Sequence, residues 1–223
     1  MGTLYLVRHG QASFGAADYD QLSPLGAQQC HALGGWFAAR GITFQGVLCG
    51  TLRRHEQSLA ALAEGFGSPL PAALPRPGLN EYDSEAVIRT VHAGELARPD
   101  TPEIYRAHFR LLRDGLKRWM AGEVQPVGMP SWADFRGGVV AALDHVRTHH
   151  DGNVLLVSSG GPISTAVAHV LGAPGEAMVE LNLRLRNSAL TEFAFSPKRH
   201  LLNTFNHLPH LEDPARQGWI TYT

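Results

Sequence analysis

Leu4-Tyr5-Leu6-Val7-Arg8-His9-Gly10 is the stretch on which the fold turns. Its apolar run reads as a buried strand, and an arginine and a histidine stand side by side at the carboxyl end. In open α/β sheets ligands bind outside the carboxyl ends of the strands, so these two side chains occupy the position of a binding site. An imidazole nucleophile beside a guanidinium suits the acceptance of a phosphoryl group.

The rest of the chain repeats that strand-then-helix rhythm. Ser23-Pro24-Leu25 is a helix start, with serine at the N-cap and proline at the first helical position. Cys30, Leu33 and Phe37 recur at helical spacing, and Arg40-Gly41 marks the end. Val47-Leu48-Cys49 is a short strand. The helix after it carries Leu52, Leu59 and Leu62 on one face, with Gly65 near its end. Pro69, Pro71, Pro75 and Pro77 exclude a regular helix or central strand and leave an extended crossover. A long helix is predicted from about Trp132 to His149. Asn153-Val154-Leu155-Leu156-Val157 is another buried strand. Gly161-Pro162 then opens a helix bearing Ile163, Val167, Val170 and Leu171, with Gly172 as its stop. Leu181, Leu183 and Leu185 alternate with Asn182, Arg184 and Arg186, which predicts a half-exposed strand. Ala189–Phe195 and His200–Phe205 read as further strands.

Between Asp83 and Met129 the pattern is helical and irregular. Thr101-Pro102-Glu103 starts a helix whose apolar positions are Ile104, Leu111, Leu112, Leu116 and Trp119. This segment is read as a helical insertion, at about 83–129, lying over the site rather than as a separate domain. Strands alternating with helices predict an α/β fold, a three-layer α/β/α arrangement with a mainly parallel central sheet. One domain is expected to span residues 1–223.

Composition narrows the function classes. With 223 residues and 44% hydrophobic content the chain can bury one sizeable core. A formal net charge of −1 supplies no global basic field for nucleic acid. No apolar stretch approaches the roughly 20 residues of a membrane span. Cys30 and Cys49 are the only cysteines, too few for a disulfide framework. The amino terminus enters a strand without a signal-peptide pattern, so a cytoplasmic location is expected. Oligomeric state is left open.

Four segments are expected to end at one edge of the sheet. They bring Arg8, His9 and Gly10; Gly50 to Arg54; Leu79-Asn80-Glu81; and Ser158 to Gly161. Arg53 and Arg54 fall in the first turn of a helix, where cations oppose the helix dipole. An anion bound at that helix start would remove the conflict.

Several of these motifs carry a resemblance. Leu6-Val7-Arg8-His9-Gly10, Leu22-Ser23-Pro24-Leu25-Gly26 with Gln29, Leu52-x-Arg54-x-x-Gln57-Ser58, Leu79-Asn80-Glu81 and Val157-Ser158-Ser159-Gly160-Gly161-Pro162-Ile163 occur in order over essentially the whole chain. Together they resemble the histidine phosphatase (phosphoglycerate mutase-like) superfamily. The resemblance implies hydrolysis of a small phosphomonoester through a phosphohistidine on His9. Arg8 and Arg54 would hold the phosphate oxygens, as guanidinium forks match phosphate geometry. Glu81 would protonate the leaving oxygen and then activate water, which requires a raised pKa; Asp83 and Glu85 are close enough to compete for that role. Ser159 and Gly160 would face the phosphate. The scheme needs no metal and no cofactor, and its partner is a small phosphorylated substrate rather than nucleic acid or membrane.

The chain departs from the pattern at three places. Gly50 and His55 stand where small residues, commonly Ser and Ala, are usual, and Ser159 stands where the family has its second histidine. That histidine would donate to the phosphoryl oxygens, and loss of one oriented donor costs about 10²–10³ in rate. Three readings follow. The chain is a slow phosphatase using Ser159 or water as donor; or His55, His92, His207 or His210 fills the gap; or the pocket binds a phosphorylated ligand without turnover. A mutase reading is weaker, because Gln11-Ala12-Ser13-Phe14 follows Arg-His-Gly where family mutases carry Glu-Ser and a Trp-Asn pair.

Other motifs fail on their spacing. Ser159 lacks the first glycine of the serine-hydrolase elbow, although the order Ser159, Glu180, His207 permits a triad. His55-Glu56-Gln57-Ser58-Leu59 ends in leucine where the zinc motif needs histidine. His145 and His149, with His150, read as a solvated helix terminus where the dipole favours them.

Overall fold

The sequence alternation sorts directly onto two faces of a sheet. In a computed structural model, which describes residues 1–13, 20–94 and 101–222, the opening segment is strand β1 (Gly2–Arg8). Helix α1 (Pro24–Ala39) and strand β2 (Gly46–Cys49) follow, then helix α2 (Arg53–Phe66) and strand β3 (Ala73–Pro75). Helices α3 (Ser84–Arg89), α4 (Pro102–Met120) and α5 (Trp132–His149) come next. Strand β4 (Gly152–Ser158), helices α6 (Gly160–Leu171) and α7 (Gly175–Asn182), and strands β5 (Leu190–Ser196) and β6 (Arg199–His207) complete the order.

The sheet order is β3-β2-β4-β1-β5-β6. β1, β2, β3 and β4 pair in parallel, and β5 runs antiparallel to both β1 and β6. Successive residues of a strand face opposite ways. Leu4, Leu6, Leu48, Val154 and Leu156 therefore pack with Val139, Leu143 and Val146 of α5 and Ile163 and Val167 of α6. Tyr5, Val7, Val47, Cys49, Leu155 and Val157 turn the other way, onto Cys30, Leu33 and Phe37 of α1 and Leu62 and Phe66 of α2. Phe37 anchors that second layer through edge-on contacts with Tyr5 and Phe44, at ring separations of 5.4 and 5.1 Å. Truncating such a buried ring typically costs about 3–5 kcal/mol.

Local signals set several boundaries. Ser23 caps α1 by accepting from the Gly26 N–H at 3.0 Å, and Gly41 beyond its end has φ +62°. Gly172 ends α6 at φ +63°, the left-handed geometry that glycine adopts without a Cβ penalty. The proline-rich crossover contributes only β3, at the sheet edge, where proline is tolerated.

One expected strand is a helix end. Leu181 to Leu185 closes α7 and the turn after it rather than extending along the sheet. The alternating leucines reach different packing environments: Leu181 and Leu185 join the α5–α6 side of the core, and Leu183 joins Tyr82, Trp119 and Met178. That last cluster ties α3, α4 and α7 to Phe135 of α5 and Ala168 of α6. None of the described helices is long and apolar enough to cross a membrane.

Candidate active site

The parallel register places the loops after β1, β2 and β4 next to one another. Arg8 lies opposite Ser158 and Cys49 opposite Val157. The His9 N–H donates to the Ser158 carbonyl at 2.8 Å, and the Gly50 N–H to the Val157 carbonyl at 3.0 Å. Three chain segments thus leave the sheet through one gap, with β4 in the middle.

His9 is 3% exposed. Its Nδ1 lies 2.7 Å from the Gly10 carbonyl oxygen, which can only accept, so Nδ1 carries the proton. Burial first, and then the charges of Arg8 and Arg54 and the neighbouring His55, hold its pKa well below the usual imidazole value. The ring is therefore neutral near pH 7, with the Nε2 lone pair available for attack. The loop is braced from below. The Gly10 N–H donates to Ser58 Oγ at 3.1 Å, and the Gln11 N–H to Gln29 Oε1 at 2.9 Å. A Cβ at Gly10 would lie 2.2 Å from the Gly26 carbonyl oxygen, so α1 approaches this loop only because the residue is glycine. Gln29, Gln57 and Ser58 of the sequence motifs serve as such braces; Gln57 Oε1 accepts from the Leu22 N–H at 2.8 Å.

Arg8 donates to the carbonyls of Leu185 and Tyr222, and Arg54 Nη1 pairs with Asp20 Oδ1 at 2.7 Å. Asp20 also accepts from the Arg53 N–H at 2.9 Å. The α2 N-cap, Leu52, has no capping side chain, so Asp20 supplies the anion that the two arginines at that helix start call for. No spacing rule in the sequence points to Asp20. The Arg53 side chain is exposed, and Arg54 alone of the pair lines the cleft.

Glu81 accepts from the Gly161 N–H at 3.1 and 3.0 Å and from the Tyr82 N–H at 3.2 Å. These bonds and the charges of Arg54 and Arg8 favour the carboxylate. Desolvation outweighs them, and the net effect raises its pKa. Asp83 is spent on capping α3, and Glu85 pairs with Arg89. Neither is among the residues lining the cavity, whereas Glu81 is.

Arg8, His9, Arg54 and Glu81 line one cavity of about 1430 Å³, larger than the roughly 300–1,000 Å³ of a typical small-molecule pocket. Tyr82 and Asn182, joined by an Asn182 Nδ2 to Tyr82 Oη bond of 2.8 Å, form part of its wall. Arg106, Arg110 and Arg113 of α4 and Arg184 and Arg186 beyond α7 complete an arginine-rich rim, in which Glu103 pairs with Arg106 and Glu180 with Arg113. Sequence reading missed this rim, because charges on an amphipathic helix read as a solvated face.

Ser159 and Gly160 lie behind that wall. Both are buried, and neither is among the lining residues. Ser159 is the N-cap of α6, yet its side chain caps nothing there. Its Oγ is 2.6 Å from Nε2 of His55, and the His55 ring lies 5.8 Å from that of His9. Burial and the Arg54 charge push the His55 pKa down to about 3. Of the four histidines considered for the gap, His55 is the one bonded to Ser159. His210 bonds Ser188, and His207 meets Glu212. The Ser159–Glu180–His207 triad is not assembled, since Glu180 pairs with Arg113.

Comparison with known proteins bears on this arrangement. The model of the histidine phosphatase superfamily, branch 1, matches residues 4–208. A curated relative from Hydrogenobacter thermophilus (strain DSM 6534 / IAM 12695 / TK-6), "Putative phosphoserine phosphatase 2", is 24% identical over 94% of this chain and 98% of its own length. A mutant phosphoserine phosphatase from Entamoeba histolytica in complex with phosphoserine is 21% identical with a TM-score of 0.64, over 95% of this chain and 100% of that one. A phosphoglycerate mutase from Bacillus anthracis str. Sterne is 17% identical with a TM-score of 0.65, over 94% of each chain. At these identities the structural likenesses establish the fold.

Proposed function

The chain belongs to the histidine phosphatase superfamily, branch 1, and from that premise we propose that it hydrolyses small phosphomonoesters through a phosphohistidine on His9. The observation that carries this reading is the convergence of a neutral, oriented His9 with Arg8, Arg54 and Glu81 in the wall of one cavity.

His9 Nε2 attacks phosphorus while the ester P–O bond breaks. The Glu81 carboxyl gives its proton to the departing oxygen and becomes a carboxylate. Water then attacks the phosphohistidine; Glu81 takes the proton from that water, the P–N bond breaks, and inorganic phosphate leaves. Arg8 and Arg54, both in the cavity wall, hold the phosphoryl oxygens through their guanidinium donors. The raised pKa of Glu81 suits its first task, since the protonated form is the acid. The names of the relatives support a small phosphorylated substrate, and the arginine rim favours an anionic one.

A binder of a phosphorylated small molecule is the second reading, and Ser159 in the place of an imidazole favours it, as it favours slow turnover. One experiment separates them. Release of phosphate from an aryl phosphate is expected for the wild type and lost in His9→Ala. A radiolabelled phosphoryl group is expected to be trapped on the wild-type protein under alkaline denaturing conditions. Phosphate binding without turnover or trapping selects the binder.

A further inference from the structure

The loop that carries His9 is held on both sides by buried amide side chains, and those amides meet at one hydroxyl. The Gln11 N–H donates to Gln29 Oε1 at 2.9 Å, and Gln29 Nε2 donates to Thr221 Oγ1 at 3.0 Å. The Thr221 hydroxyl donates to Asn187 Oδ1 at 2.9 Å, and Asn187 Nδ2 donates to the His9 carbonyl at 3.4 Å. That carbonyl also takes the Ser188 N–H at 3.1 Å. The bonds run one way around, from the Gln11 amide to the His9 carbonyl, and close a ring through His9-Gly10-Gln11. We propose that Thr221 is a positioning residue for the nucleophile: its hydroxyl closes this ring and so fixes the peptide that holds the His9 imidazole. The proposal rests on the phosphohistidine reading above.

The link from Thr221 to the imidazole passes through a single planar group. The Gly10 carbonyl, which accepts from His9 Nδ1 at 2.7 Å, belongs to the same peptide unit as the Gln11 N–H. A trans peptide is rigid and points these two groups opposite ways. Holding the N–H on Gln29 therefore aims the carbonyl at Nδ1, which keeps the proton there and leaves Nε2 for attack. Gln29 and Asn187 are fully buried, so solvent offers neither amide a replacement partner. Gln29 Nε2 also donates to the Trp219 carbonyl, and with Thr221 both of its N–H groups are used. Of the three side chains in the ring, Thr221 alone accepts and donates through one atom. Loss of that hydroxyl orphans a donor on Gln29 and an acceptor on Asn187 at once, and both amides are then free to turn. The segment itself stays in place. The Asn187 N–H donates to the Thr221 carbonyl at 2.9 Å, and Arg8 Nη1 donates to the Tyr222 carbonyl at 3.2 Å. Removing the hydroxyl thus disturbs the nucleophile and spares the phosphate grip of Arg8.

The test compares Thr221→Val, which keeps the shape without the hydroxyl, with Thr221→Ser, which keeps the hydroxyl. Each is read by kcat and KM on an aryl phosphate, tungstate affinity by calorimetry, thermal melts, and the proton resonance of His9 Nδ1–H, identified by its absence in His9→Ala. Thr221→Val is expected to lower kcat by about 10- to 10²-fold, the scale of a reacting group displaced by an ångström or less, with KM and tungstate affinity little changed. Its Nδ1–H resonance is expected to broaden and to exchange faster with solvent. Thr221→Ser is expected to match the wild type in both readouts. Thr221→Ala serves if the valine variant does not fold. Wild-type kcat in Thr221→Val overturns the proposal, and so does an equal loss in Thr221→Ser, which would make the role one of packing. A loss confined to KM and tungstate affinity also overturns it, by placing Thr221 with Arg8 instead of His9. If the wild type itself shows no His9-dependent turnover, the phosphatase reading falls and the resonance decides. Its loss in Thr221→Val with retention in Thr221→Ser supports the ring, and no change overturns it.

Discussion

The two sides of the cleft were assembled differently. On the His9 side, Arg8, His9, Arg54 and Glu81 keep the residues of the family pattern, and each is held by backbone or a single neighbour: Gly10 O for His9, Gly161 N–H for Glu81, Asp20 for Arg54. On the Ser159 side, three positions differ together, and their geometry makes sense only jointly, since Gly50 clears the space His55 fills and His55 meets Ser159. The first group lines the cavity and the second is packed behind its wall, so only the first is open to a ligand.

The largest expected effect breaks the His9 side outright. His9→Ala removes the covalent route, and turnover of an aryl phosphate is expected to fall to background while thermal melts show a folded protein. Residual His9-independent turnover would move the nucleophile to another residue. Next, Glu81→Gln is expected to lower kcat by about 10²–10⁴. A loss under tenfold would reassign the acid to water.

The pH profile sharpens the same contrast. Glu81 is needed protonated and has a raised pKa, so kcat/KM falls as pH rises through it. His9 is needed neutral and has a depressed pKa, so the opposing acid limb lies well below the usual imidazole range. The optimum is expected on the acid side of neutrality, and Glu81→Gln is expected to flatten the upper limb. A limb unchanged in Glu81→Gln would show that another group sets it.

The smallest effect concerns stability, and it arises on the Ser159 side and at the chain's far end. His55 and His210 both have folded pKa values of about 3, below the roughly 6.5 of an unfolded imidazole. The unfolded chain binds protons that the folded chain refuses, so stability is full above about pH 6.5 and is lost as pH falls towards 3. Melting temperature is expected to fall between pH 7 and pH 4, less steeply in His55→Gln than in the wild type. Parallel slopes would mean that His55 is not buried neutral. The acid that activates Glu81 thus erodes the fold, which limits how far the optimum can move.

The convergence of Arg8, His9, Arg54 and Glu81 in one candidate site was legible in the sequence. Arg8, His9, Arg54 and Glu81 sit in short motifs at strand and helix ends, where local rules place them. Asp20 was not legible, because its role depends on a loop meeting the start of a helix 33 residues away. The stretch from Leu181 to Leu185 was misread because periodicity counts apolar residues without knowing which surface each one meets. The arginines of α4 were passed over because a helix with one charged face looks the same whether that face meets water or a cleft.

What the sequence by itself determined is everything governed by neighbours along the chain. The alternation of β1 and β4 sorts side chains to two layers, the Ser23-Pro24 start and Gly172 stop bound their helices, and the Arg-His pair falls at a strand's carboxyl end. Only the tertiary structure decided which of His55, His92, His207 and His210 answers Ser159. His55 and Ser159 are 104 residues apart in sequence. Their contact exists because β2 and β4 pair in parallel with Cys49 opposite Val157, which starts α2 and α6 side by side. Strand register is a long-range pairing, and no local propensity encodes which two helix starts it will bring together.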